Sequence, residues 1–461
     1  MKRTVAALAL LAAAAGGGAL AYQAVSRDRN YRAELVRGDA ALADRKTFDA
    51  IEAYSGAVTL RPESMLGYLR RGEAYLERGD LEMAARDLGK ASILDPSAVR
   101  PLEDLGDVEY RRERFAQAVQ SYEGRLRLDE RSADVTYKLA LARYRNGDAP
   151  GALTAVAQAL KLNDRLAEAY YLRGMCLRDE RQLHDAATAL ERAVALAPGS
   201  VPPREELADV YGMLDRRSDE IEELQALAAL DAEHPAREVA LGLAHARAQH
   251  WDLAVLTLSS ALERAPDEPL IYHALGQVWL ERPRDKNDRV FLSKAREALK
   301  RVAASPTASS TALMLYGRAL LEDGDVDNAE HALQDAARRS PVDPAALAEY
   351  AALAERQNHL DAARSALMQY DALVAADADR ASRASHIAAI SLRLNDAPTA
   401  VAWLERAVTA APNDARAIAA LADAQLRAGD PEAATRTVAR GLEKDPSNAT
   451  LQLLARRLRA F

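Results

Sequence analysis

The sequence predicts an all-α protein built as an array of repeated helix pairs. Three observations carry that prediction. One pattern returns about every 34 residues along most of the 461-residue chain. Aromatic residues make up only 5% of it while alanine is abundant, which favours close helix-on-helix packing over a sandwich or a large aromatic core. Within each unit the apolar positions recur three and four residues apart, the spacing of one helical face.

The unit is clearest from Met65 to Ala98, which contains RRGEAYLERGDLEMAARDLGKASILDP. Twelve copies begin at Tyr31, Met65, Val99, Ala133, Ala167, Val201, Pro235, Pro269, Ser310, Pro344, Ala381 and Ala415. Position 8 is glycine or alanine in all twelve, as at Gly38, Gly72, Gly106 and Ala140. Position 20 is alanine in eleven of twelve, Glu220 being the exception, and position 32 is proline at Pro62, Pro96, Pro198, Pro266, Pro341, Pro412 and Pro446. Positions 4, 8 and 11 share one stripe of a first helix, and 20, 24 and 27 one stripe of a second. Small residues at 8 and 20 are expected to let the two backbones approach, with Tyr68, Tyr75 and Leu88 filling the space around them. Asp80 and Asp430 are placed to cap second helices, Pro431 suits a first helical position, and the proline at 32 ends the unit.

This pattern resembles the tetratricopeptide (TPR) repeat, with a small residue at 8, alanine at 20 and proline at 32. The resemblance covers about nine-tenths of the chain and implies a right-handed α-solenoid superhelix of antiparallel helix pairs, its first helices lining an inner groove. The organisation expected is an apolar leader or membrane anchor over 1–30, repeats one to six over 31–232 and repeats seven to ten over 233–375. A helix-to-helix loop insertion falls at 281–289. Repeats eleven and twelve follow over 376–448, with a capping helix at 449–461. Repeats six and ten depart most, with Glu220 at position 20 and Leu227 and Tyr370 at position 27. The stretches DAEHPAREVA and DALVAADADRASRASH after them are the expected places for a bend or subdomain break.

The leader reads differently from the rest. Lys2 and Arg3 precede an uncharged stretch from Thr4 to Ser26, either a signal peptide cut after Ala19-Leu20-Ala21 or an uncleaved anchor that crosses the membrane through residues 4–26. The expectation is a cell-membrane protein with its repeats on the extracytoplasmic, periplasmic side. Secretion after cleavage is the alternative.

Chemistry is not signalled. The sequence lacks GxSxG, HExxH, GxxxxGK[ST] and a GxGxxG between strand and helix, so no catalytic residue, cofactor or metal is assigned. His245 and His250, five apart, would stand about 140° apart on a helix. Cys176 is the only cysteine, which excludes an intramolecular disulfide, and between Met175 and Leu177 it reads as a small core residue. A net charge of −8 with interspersed signs offers no footprint for nucleic acid.

The partners expected are therefore other proteins. By the resemblance, positions 2, 5, 9, 12 and 13 of each first helix face the groove. Repeats three to five place Tyr110, Arg111, Tyr137, Leu141, Tyr144, Arg145, Tyr171, Met175 and Arg178 there or beside it, the residue types that dominate interface energy. Packing between neighbouring helices is the other reading of these tyrosines. Arginine recurs at position 13 (Arg111, Arg145, Arg247, Arg356, Arg393, Arg427), either as a ladder for acidic segments or as cations complementing the helix dipole. TPR clamps for carboxylate termini use lysine at position 5, and no repeat here has one. The function expected is a non-catalytic scaffold, anchored or exported, holding extended or helical segments in its groove. The alternative is an accessory subunit that positions an envelope enzyme or export machine.

Overall fold

Small residues at fixed intervals allow one helix to lie directly on the next, and the chain repeats that contact along its length. The computed structural model of the chain describes residues 2–283, 288–374 and 378–458, with side chains from residue 22 onward apart from that of residue 288. These residues form 25 α-helices and no strand. They fall into two compact units, Met1–Leu230 and Asp231–Phe461.

In the first unit the helices are α1 (Lys2–Ala43), α2 (Thr47–Leu60), α3 (Met65–Arg78), α4 (Leu81–Leu94), α5 (Val99–Arg111), α6 (Phe115–Leu128), α7 (Ala133–Arg145), α8 (Ala149–Leu162), α9 (Ala167–Asp179), α10 (Leu183–Leu196), α11 (Val201–Met213) and α12 (Arg217–Leu230). From α3 onward each first helix starts at the residue where the sequence unit starts. Each pairs with the second helix that follows it. First helices of neighbouring repeats also touch, α3 with α5, α7 with α9 and α9 with α11, whereas second helices make no comparably close approach to one another. One face of the unit is therefore built by first helices alone.

The small residue at position 8 makes room for the large side chain at position 24, as at Leu88, which the sequence places in the space around it. A Cβ on Gly72 would lie 2.8 Å from Leu88 Cγ, on Gly174 2.5 Å from Leu190 Cγ, and on Gly106 2.5 Å from the Tyr122 ring. These partners are fully buried or nearly so. The reason is geometric: side chains lean towards the helix N-terminus, so the position-24 side chain reaches across to position 8. Leu69, at position 5 and so one of the residues that the resemblance turns to the groove, is instead buried in the core.

The turns follow one scheme. Position 15 takes the left-handed conformation in eleven repeats, at Gly79, Gly147, Gly324 and Gly429 but also at Arg45, Glu113, Arg181, Asp215, Gln249, Asn358 and Asn395. The next residue caps the second helix in several repeats: Asp80 accepts from the Met83 amide, Asp148 from Gly151, Asp396 from Thr399 and Asp430 from Ala433. Pro431 opens its helix.

The second unit repeats this architecture from α13 (Pro235–Arg247) to α24 (Pro431–Lys444) and ends on α25 (Ala449–Leu458). Leu451 of α25 is fully buried, Leu454 and Leu458 lie on the last core cluster, and Arg456 and Arg457 are exposed, as a capping helix requires. The eighth repeat has α15 (Pro269–Glu281) and α16 (Asp288–Ala303) around its insertion, of which 284–287 lie outside the described residues, as do 375–377 in the stretch after repeat ten. In the first unit Glu220 is buried and pairs with Arg217 at 3.2 Å, and Leu227 is buried. In the second, Tyr370 carries the Arg383 guanidinium over its ring at 5.4 Å.

Most of the leader's side chains lie outside the described residues. Among the described residues, no helix is long and apolar enough to cross a membrane.

Candidate functional site

The face built by first helices is cross-linked by polar contacts running from repeat to repeat. Arg100 of α5 meets Glu73 of α3 at 2.7 Å. Lys138 of α7 donates to Asp107 and Glu103 of α5 at 3.0 and 3.2 Å. The Tyr144 hydroxyl of α7 donates to Asp179 of α9 at 2.7 Å, and Arg178 of α9 donates to Glu206 of α11.

Within this face Tyr110, Tyr137, Leu141, Tyr144 and Tyr171 are half-buried, each resting on a core cluster with its other side open. Met175 and Arg178 are also half-buried, while Arg111 and Arg145 are exposed. Tyr137 is central. Burial pushes its hydroxyl up to about 12, with Glu168, Tyr110, Tyr171 and Asp134 adding to the effect. Tyr144 is pushed up to about 12 by burial and then by its bond to Asp179. Tyr171 is raised by burial and by Glu206, against the opposing pull of Arg178. All three are neutral at pH 7 and can donate a hydrogen bond.

Tyr110 meets Phe115 edge-on, with centroids 5.4 Å apart, and the Arg145 guanidinium lies over the same ring at 5.4 Å. Arg145 is thus held at the rim by the first residue of α6. The other position-13 arginines also occupy last helical turns, where a cation complements the dipole. Arg393 is engaged with Glu355 at 2.7 Å and Arg427 with Asp423 at 2.9 Å.

A charged network beside the tyrosines is not among the residues singled out from the sequence. Tyr54 donates to Asp39 at 2.7 Å and Tyr122 to Asp107 at 2.6 Å, so position 24 reaches past position 8 to position 9. Arg125, buried at position 27, donates to the Asp129 carbonyl at 2.9 Å and lies 3.5 Å from Glu103. Asp104 is pushed up to about 6 by burial first, then by Glu73, with Arg100 opposing and Asp107 and Glu103 reinforcing. The available signal was that tyrosine occupies position 24 only in repeats one and three, each with aspartate at position 9.

Elsewhere, Cys176 is fully buried, and burial raises its thiol to about 12. The His245 and His250 rings come within 6.0 Å, closer than one continuous helix would bring them, because α13 ends at Arg247 and the chain turns at Gln249. Among the described residues no three His, Cys, Asp or Glu side chains converge as a metal site. An open cleft of about 970 Å³, lined in part by α6 and α8, is polar, with Arg143 and Glu123 paired across it at 2.8 Å.

Tetratricopeptide-repeat family models match residues 35–99, 69–133, 103–160, 137–201, 291–344 and 317–369, and a further one matches 391–458. The chain belongs to the tetratricopeptide repeat family. Repeats of this family act as protein-interaction scaffolds. Among curated relatives, this TPR chain is 26% identical over 133 residues to a BBSome complex member BBS4 homolog of Drosophila melanogaster, covering 29% of this chain and 27% of that protein. It is 24% identical over 251 residues to DnaJ homolog subfamily C member 3 of Gallus gallus, covering 48% and 50%. The chain thus spans from about a quarter to half of the curated relatives it matches. Similar solved structures include YrrB, described as a TPR protein with an unusual peptide-binding site (25% identity, TM-score 0.36, 40% of this chain and 95% of that one). Another is the Cut9–Hcn1 hetero-tetramer of the APC/C (13% identity, TM-score 0.34, 93% and 96%).

Proposed function

We propose that this TPR protein is a non-catalytic scaffold that holds extended or helical segments of partner proteins on the first-helix face of repeats three to five. The observation that carries the reading is that Tyr110, Tyr137 and Tyr171 are half-buried on three successive first helices, with Leu141 and Met175 half-buried on the same helices. Such rings are rigid, offer large apolar area and keep a hydroxyl for a partner's backbone. Changing Tyr137, Tyr144 and Tyr171 together to alanine is expected to remove partners captured from membrane extracts by site-specific crosslinking, with circular dichroism unchanged. Recovery of the same partners by the triple variant would overturn the assignment.

We also propose that the apolar leader tethers or exports the chain, with the repeats on the extracytoplasmic side. Protease added to intact cells after opening of the outer barrier should then digest the repeats. Protection of the repeats, with Met1 retained, would refute it.

A further inference from the structure

We propose that the first-helix face of repeats three to five takes an extended segment of a partner protein bearing arginine or lysine. This rests on the reading of that face as the binding surface and adds the chemistry of its occupant.

The surroundings of the tyrosines favour a cation by charge complementarity. Among the charges that act on the Tyr137 hydroxyl are Glu168 and Asp134, both carboxylates and both exposed at the start of their helices. Near Tyr171, Glu206 raises the hydroxyl and shares Arg178 with Asp179. Three of the protein's own cations along this face are each shared among several carboxylates, while Arg111 and Arg145 stand exposed beside it. Lys138 serves Glu103, Asp107 and Asp134; Arg178 serves Asp179 and Glu206; Arg100 serves Glu73 and Asp104. Asp104 Oδ2 is buried and receives no hydrogen bond. Arg145 is engaged with Phe115 at the rim.

An incoming guanidinium or ammonium would therefore meet under-neutralised carboxylates and the faces of half-buried tyrosines, two favourable settings for a cation. An acidic segment would meet repulsion along the same path. A purely apolar one would cover the rings while drawing water away from the carboxylates, at a cost.

The test is fluorescence anisotropy on the full chain with three labelled peptides of about twelve residues, roughly 40 Å when extended. They differ only in carrying arginine, glutamine or glutamate at alternate positions among alanine and leucine. The arginine peptide is expected to bind about tenfold more tightly than the glutamine peptide, and the glutamate peptide least. Replacing the two exposed carboxylates together (Asp134→Asn with Glu168→Gln) should weaken the arginine peptide about fivefold and leave the glutamine peptide unchanged. Tyr137→Ala should weaken both.

Equal or tighter binding of the glutamate peptide overturns the proposal. So do an arginine affinity indifferent to the double variant, failure of all three peptides to bind, and self-association of the chain that masks this face in sedimentation. Equal arginine and glutamine affinities that both fall in Tyr137→Ala would refute the charge preference alone. Indifference of every bound peptide to Tyr137→Ala would refute the binding surface itself.

Discussion

At Gly72 the absent Cβ is a requirement of Leu88, whose Cγ would lie 2.8 Å from it, so an added methyl forces overpacking that costs about 1–3 kcal/mol. The need for a small residue at position 8, and Leu88 as one of the side chains filling the space around it, were legible from the recurrence. Periodicity shows which positions share a helical face; it does not show how closely a side chain from the other helix approaches. Asp104 illustrates the same limit for charge. Its folded carboxyl lies near 6 against an ordinary value of 3.8, because burial and Glu73 outweigh Arg100. Between about pH 4 and pH 6 the folded chain keeps a proton that the unfolded chain has released, so stability falls as pH rises through that window. Above it the cost is fully present. Asp104→Asn should therefore be more stable than the parent at about pH 7.5, by about 1 kcal/mol after allowance for solvent screening, with the gap closing by about pH 4. Urea unfolding across that range reads this directly. A variant less stable at the higher pH would mean that pairing with Arg100 dominates.

Among elements, the tight turns between first and second helices are the most regular feature and the least visible in the sequence. Aspartate caps such as Asp80 and Asp430 follow from residue type and position. The left-handed residue before them does not, because only four of the eleven positions are glycine. Glu113 adopts φ 58°, a conformation that costs a non-glycine residue about 1–2 kcal/mol. The helix pairs on either side fix the turn and impose that conformation. Glu113→Gly should raise the melting temperature of the full chain, the relief being partly offset by the greater freedom of unfolded glycine and leaving about 1 kcal/mol. The equivalent glycines at 79, 147, 324 and 429 have nothing within 4 Å of where a Cβ would stand, so the effect should come from the backbone alone. A melting temperature unchanged or lowered in differential scanning calorimetry would contradict this account.

Across the whole molecule, the sequence by itself determined that the protein is an array of helix pairs, where each repeat starts, and that a cap follows the last one. These depend on contacts within a unit, which recur every 34 residues and so appear as a periodic signal. The stretch DAEHPAREVA, which opens at Asp231, is where the sequence places a bend or break, and the chain divides into its two units after Leu230. The make-up of the candidate surface, by contrast, emerged only in three dimensions. Tyr110, Tyr137 and Tyr171 were each placed by position on a groove-facing helix, yet the sharing of Lys138 among Glu103, Asp107 and Asp134 depends on how α5 and α7 lie side by side. That lateral contact joins residues about one repeat apart that need not resemble one another. Small residues that must recur to pack helices leave a period, whereas charges that meet once across neighbouring helices leave none.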